Sequence, residues 1–257
     1  MKSHLIVKPG PVAELSLNRP DRRNALSDET LAQIASAFRS LAESPDLRAV
    51  ILKGEGRDFC AGADIEWMRR AGTLAGKKAE EDARLLARAC LAVDECPVPV
   101  IARVQGNVYG GGLGLLAAAD IAVSAEDARF CFSECRLGIL PAVVSSFVLP
   151  KIGAHARRYY LTAELFGAPE ALRLGLVHES APEAALDQKI ERIVKGVLSC
   201  GPNAVREAKS LLRAFPGKNL HERIDFSIQT LLRARSSPEG QEGLSAFLEK
   251  RQPAWTP

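Results

Sequence analysis

No apolar run in this sequence is long enough to cross a bilayer. A spanning helix needs about 18–20 predominantly apolar residues. The longest apolar region, around Leu113 to Ala119, is short and follows glycines, so it reads as a buried helix. Met1 to Pro11 lacks the apolar core of a secretory signal, so a cytoplasmic location and no membrane partner are expected. Cysteine is sparse: six residues at positions 60, 90, 96, 131, 135 and 200, with no CxxC. Cys131 and Cys135 stand four apart, but no second pair or histidine cluster completes a zinc site. Reduced, packed thiols and no metal are therefore expected. An excess of one charge is also lacking. The net charge is +3, too small and too dispersed to argue for nucleic acid, although the cations would tolerate an anionic ligand. No GxxxxGK[ST] phosphate loop occurs.

What is present is ordinary for a globular protein: 257 residues, 47% hydrophobic and 25% charged. That is enough for one large domain or two small ones with a substantial core. Val12 to Asn18 alternates like a strand, and Ser27 can cap a helix carrying Leu31, Ile34, Ala35, Phe38, Leu41 and Ala42 at helical spacing. Ala49–Leu52, Val98–Val104 and Ile121–Ser124 are short apolar runs, as expected of strands covered on both faces. Strands alternating with helices predict an α/β fold. After about Ala184 the pattern turns helical, with a stripe at Ile190, Ile193, Val194 and Val197 and helices over 204–214, 220–234 and 239–251.

Three segments could carry chemistry. In Phe59-Cys60-Ala61-Gly62-Ala63-Asp64-Ile65, small residues would let a ligand approach the main chain; an ordinary tight turn explains them equally. Gln105 to Gly114 places three consecutive glycines, Gly110 to Gly112, at a helix start. Exposed N–H groups and the helix dipole there suit a developing oxyanion. Gly112 to Ala117 formally fits GxGxxA, but these glycines do not immediately follow the strand, so a dinucleotide site is a weak match. In Ser133 to Pro141, Glu134 is an acid among apolar neighbours. It is either a glutamate paired with Arg136 or, in an apolar pocket, a proton carrier with a raised pKa.

In this order and spacing the segments resemble the crotonase (enoyl-CoA hydratase/isomerase) superfamily over nearly the whole chain. Leu17-Asn18-Arg19-Pro20, Asn24-Ala25-Leu26, Leu174-Gly175-Leu176-Val177 and Phe247 to Arg251 add to the match. The resemblance implies an α/β spiral core of ββα turns over residues 1–195, holding the acyl-CoA site. It implies a C-terminal helical region over 196–257 that mediates trimer or hexamer formation. It implies an acyl-CoA thioester as partner and no separate cofactor. Ala63 and Gly111 match the oxyanion hole and Glu134 the proton-transferring acid. Arg23, Ala25, Ala61, Asp64, Ile65 and Gly110 match the surroundings of CoA and acyl group. Lys250 matches a basic residue that reaches the CoA phosphates, often from a neighbouring subunit.

One position departs from the pattern. Hydratases of this superfamily use two glutamates around a water, and the first should stand at Gly114. A hydratase with one acid, a single-glutamate Δ3,Δ2-enoyl-CoA isomerase and a non-catalytic acyl-CoA- or RNA-binding member all stay open. Trp67 to Arg70, Arg136 to Ser145 and Ala156 to Thr162 look like bacterial 3-methylglutaconyl-CoA hydratases of leucine degradation and the related carboxygeranoyl-CoA hydratases. Such substrates carry a distal carboxylate, for which Arg69, Arg70 and Arg136 are candidate cations.

Overall fold

The computed structural model describes residues 3–256. The chain opens with an antiparallel hairpin, β1 (Leu5–Lys8) and β2 (Val12–Leu17). Ala13, Leu15 and Leu17 alternate into the core along β2. Helix α1 (Asp28–Ala42) follows, its first turn closed by Ser27, whose Oγ accepts the Thr30 N–H. Its Leu31, Ile34, Phe38 and Leu41 face inward. Then come β3 (Ala49–Gly54), α2 (Ile65–Ala71), α3 (Gly76–Asp94), β4 (Val100–Val104), β5 (Asn107–Tyr109), α4 (Gly111–Ala118), β6 (Ile121–Ala125) and β7 (Arg129–Cys131). The strand predicted from Val98 begins at Val100 because Pro99 has no N–H to give a ladder; its carbonyl accepts the Val50 N–H instead.

The chain continues through α5 (Ala142–Ile152), α6 (Ala156–Thr162), β8 (Phe166–Gly167), α7 (Ala168–Arg173) and β9 (Glu179–Ala181). Six strands form one sheet in the order β1-β2-β3-β4-β6-β9, parallel except for β1. Parallel neighbours require crossovers, and the helices between the strands supply them. A second sheet, β5-β7-β8, lies beside it. Helix α4 packs between α3 and α5. Seven of its residues, Gly112 to Ala118, are buried, so it is apolar on every side, as a helix enclosed by others must be.

Four helices close the chain: α8 (Leu186–Ser199), α9 (Pro202–Ala214), α10 (Leu220–Ser236) and α11 (Pro238–Leu248). A boundary at residue 195 falls inside α8; the turn into the last helices comes at Cys200 and Gly201. These helices are tied to the sheet. Buried Lys209 donates to the Val98 carbonyl and pairs with Asp120 at 2.6 Å, and Arg48 donates to the carbonyls of Leu198 and Cys200.

Candidate active site

Ala63 is joined to Leu26 by a parallel bridge. The Leu26 N–H donates to the Gly62 carbonyl and the Asp64 N–H donates to the Leu26 carbonyl, both at 2.8 Å. In such a pairing the residue flanked by both bonds turns its own N–H and C=O to the other side. The Ala63 N–H is thereby aimed away from Leu26. The segment is held by its neighbours. The Asp64 carboxylate accepts from the N–H groups of Glu66 and Trp67, capping α2, and pairs with Arg19 at 2.8 Å. Burial opposes ionisation of Asp64, but Arg19 and the two N–H donors outweigh it and hold the carboxyl below its ordinary range. Arg19 also donates to the Ala25 carbonyl, and buried Asn24 donates to the carbonyls of Glu55 and Asp58.

Gly111 is the first residue of α4, so its N–H has no acceptor within the helix, and the helix dipole adds positive potential there. The turn into α4 requires Gly110 to adopt φ 47° and ψ −117°, a conformation closed to residues with a Cβ. The two donor segments share a hydrogen-bonded seam. The Cys60 N–H donates to the Asn107 carbonyl, the Tyr109 N–H donates to the Cys60 carbonyl, and Asp58 Oδ1 accepts from both N–H groups of Asn107. The Leu26 side chain closes the gap between them: a Cβ placed on Gly111 would lie 3.2 Å from Leu26 Cδ1 and 3.4 Å from Leu86 Cδ1.

Glu134 stands beside this pair. A Cβ on Gly110 would lie 3.4 Å from Glu134 Oε1. Among the described residues Glu134 forms no ion pair, with Arg136 or otherwise, and its buried Oε2 has no hydrogen-bond partner. Burial raises its pKa, offset only in part by its own backbone N–H. A paired surface glutamate is thus excluded, and the proton-carrier reading keeps its physical basis.

Gly114, where a second acid would stand, faces packed side chains. A Cβ there would lie 2.7 Å from Val144 Cγ1 and 3.1 Å from Cys90 Sγ. Val144 fills the position from α5, and both partners are buried. Of the other predicted residues, Arg23, Ala25, Ala61 and Ile65 cluster on the loops that carry Ala63, and the Ala61 N–H donates to the Arg23 carbonyl. Arg23 and Ile65 are exposed. The Asp64 carboxylate is fully engaged inside the protein, so it shapes this rim without projecting from it. Lys250 follows α11, which packs on α9 and α10, and the structure leaves it with the C-terminal helices. Arg70 pairs with Asp28, while Arg69 and Arg136 are exposed. Arg19, Asp58 and Asn107 were not distinguished as site residues by the sequence; only their long-range hydrogen bonds reveal that they position the donors.

The model of the family described as "Enoyl-CoA hydratase/isomerase" matches residues 8–257. The chain belongs to the enoyl-CoA hydratase/isomerase family. The crotonyl-CoA hydratase of Syntrophomonas wolfei is 30% identical over 251 residues, which is 96% of this chain and 95% of that one. The crystal structure of an enoyl-CoA hydratase from Shewanella pealeana superposes with a TM-score of 0.94 at 37% identity, covering 98% of this chain and 96% of the other. Pseudomonas aeruginosa AtuE gives a TM-score of 0.95 at 36% identity, covering 99% and 100%. As a member of this family the chain is an enzyme of the hydratase type, on a crotonase α/β fold with a helical C-terminal region. Among the described residues no helix is long and apolar enough to cross a membrane.

Proposed function

We propose that the protein adds water to, or removes it from, a 2-enoyl-CoA through a thioester enolate. The observation that carries this reading is the half-buried Glu134 carboxylate, its Oε2 without a hydrogen-bond partner, beside the turn that presents the Gly111 N–H. The thioester oxygen would sit between the N–H groups of Ala63 and Gly111 as it gains charge, and Glu134 would move the proton. CoA would lie along Arg23, Ala25, Ala61 and Ile65, with Gly110 at the acyl end. The substrate's own CoA leaves no need for a further cofactor. Lys250 of a neighbouring copy would reach the phosphates in a homotrimer or homohexamer. Leu220, Leu231, Phe247 and Leu248, exposed on the last helices, support a surface covered by assembly.

The acyl group we favour is branched or carboxylated, as in 3-methylglutaconyl-CoA. Exposed Arg69 and Arg136 are available for a distal carboxylate, whereas Arg70 is engaged by Asp28. The single acid beside Gly114 favours, as a second reading, a Δ3,Δ2-enoyl-CoA isomerase. A spectrophotometric panel of crotonyl-CoA, 3-methylglutaconyl-CoA and a 3-enoyl-CoA separates them. Hydration of 3-methylglutaconyl-CoA with the highest kcat/KM supports the first reading. Double-bond migration in the 3-enoyl-CoA without net hydration establishes the second.

The acid limb of the pH profile follows from burial. Glu134 must start as a carboxylate to take a proton from water. Its pKa is raised above the ordinary 4.5, so kcat/KM falls as pH drops through a pKa above that value. A limb at or below 4.5 would show that another group controls it.

A further inference from the structure

We propose that Tyr109 is the positioning residue that sets the separation of the two backbone donors, through a line of hydrogen bonds from its hydroxyl to Asn107 and Asp58. This rests on the reading of the Ala63 and Gly111 N–H groups as the oxyanion site. Asn107 and Tyr109 stand two apart on β5, and side chains at that spacing share one face of a strand. The Tyr109 hydroxyl donates to Asn107 Oδ1 at 2.8 Å. Asn107 Nδ2 donates to Asp58 Oδ1 at 2.6 Å, and the Asn107 backbone N–H reaches the same oxygen at 2.9 Å. The directions are fixed. Asp58 Oδ1 accepts the backbone N–H, so the Asn107 amide turns its nitrogen to Asp58 and its oxygen to Tyr109. Asp58 is 2% exposed, which anchors the far end of the line in the interior. Burial raises the Tyr109 pKa above its ordinary 10, so the hydroxyl keeps the proton that it donates.

Tyr109 stands where the two donor segments part. The Tyr109 N–H donates to the Cys60 carbonyl at 2.9 Å. Beyond that bond each segment turns to other partners. The Ala61 N–H goes to Arg23, the Gly62 carbonyl accepts from Leu26, and the Gly110 N–H goes to Cys131. Among the described residues no main-chain bond joins 61–63 to 110–111. Each donor also follows a glycine at positive φ, Gly62 at 98° and Gly110 at 47°. Glycine restrains the chain least of all residues, so the donors need a brace from outside their own backbone. Tyr109 supplies it. A Cβ placed on Gly62 would lie 3.2 Å from the Tyr109 carbonyl oxygen and 3.7 Å from Tyr109 Cβ. One residue thus meets the chain before Ala63 and leads directly into Gly110 and Gly111. Its hydroxyl ties the ring back to the buried end of the seam.

Donor spacing matters more to an enolate than to a bound ester. Donors stabilise developing charge only at about 2.7–3.1 Å from the oxygen that carries it. CoA makes its other contacts elsewhere, so a small loss of alignment weakens the charged state while leaving ground-state binding nearly intact. The thioester carbonyl feels the same two N–H groups before any reaction. They polarise it, and its C=O stretch reports their placement directly.

The test uses butyryl-CoA isotopically labelled at the thioester carbonyl carbon, a saturated ligand that cannot be hydrated. Infrared difference spectra read its C=O stretch on the protein, and exchange of its α-protons in D2O reads enolate formation. In the wild-type protein the stretch should move to lower frequency on binding. Tyr109→Phe keeps the ring and removes only the hydroxyl. We expect that downshift to shrink and α-proton exchange to slow about three- to tenfold, the worth of one hydrogen bond. The Kd of butyryl-CoA should change by less than about threefold, since the interaction lost is one made chiefly with the charged state. Asn107→Ala should shrink the downshift as well, and adding Tyr109→Phe to it should cost nothing further. An unchanged stretch in Tyr109→Phe, whatever its melting temperature, overturns the proposal, as do additive losses in the double variant. A wild-type protein that binds butyryl-CoA with no downshift overturns the oxyanion reading itself, before any variant is compared.

Discussion

Turnover of any 2-enoyl-CoA falls about 10²- to 10⁴-fold in Glu134→Gln, the range expected for loss of a general acid–base, and the melting temperature does not fall with it. Both halves follow from the same environment. Glutamine keeps the shape of the side chain beside Gly110 but cannot accept a proton from water and return it to C2. The wild-type carboxylate is ionised in the unfolded chain at neutral pH, while burial opposes ionisation in the folded one. A folded-state pKa above the unfolded value makes the native state bind protons more readily. The ionised group therefore works against folding at pH values above its folded pKa. A neutral amide removes that penalty. Steady-state kinetics beside thermal unfolding checks the prediction. A variant within tenfold of wild-type turnover would remove Glu134 from the mechanism, and a large drop in melting temperature would assign it a structural role.

Gly114→Glu, which puts back the acid that the two-glutamate pattern places there, destabilises the protein and adds no activity. The new Cβ would stand 2.7 Å from Val144 Cγ1 and 3.1 Å from Cys90 Sγ. Both neighbours sit in the interior, on helices packed against α4. Overpacking of a close-packed core costs about 1–3 kcal/mol. An unpaired buried carboxylate costs several kcal/mol more, or takes up a proton and ceases to act as a base. Together these approach much of the roughly 5–15 kcal/mol that holds a domain folded. Urea unfolding should show a large loss in midpoint or no soluble protein. A variant with the wild-type midpoint and faster hydration would show that the α4–α5 contact yields readily.

Main-chain chemistry was legible in the sequence, and side-chain partnerships were not. Consecutive glycines ahead of an apolar run announce a helix whose first N–H groups are approachable, and α4 begins at Gly111. The strands over Ala49–Leu52 and Ile121–Ser124 announced themselves because both of their faces are covered. By contrast β5, β7 and β8 have three, three and two residues, too few to establish a period. Strand β1 buries only Leu5, so it carries no alternation. The 19-residue helix α3 has three buried residues near its end and a charged first half, which hid it. Asp58 and Asn107 lie 49 positions apart; nothing local marks either as the tie between the donor segments.

The outward turn of the Ala63 amide and the opening amide of α4 have a consequence for inheritance. Both groups belong to the peptide backbone, so among side-chain replacements only proline, whose ring takes the place of the N–H, deletes either one. Any other mutation reaches them only by moving the chain; deletion without proline's fixed ring takes an ester in place of the amide at residue 63 or 111. The role proposed for them, steadying a charged thioester oxygen, would therefore be passed on with the fold itself. Divergence is left to work on what surrounds it: how many acids face the substrate, which hydroxyls hold water, and which cations greet the far end of the acyl chain.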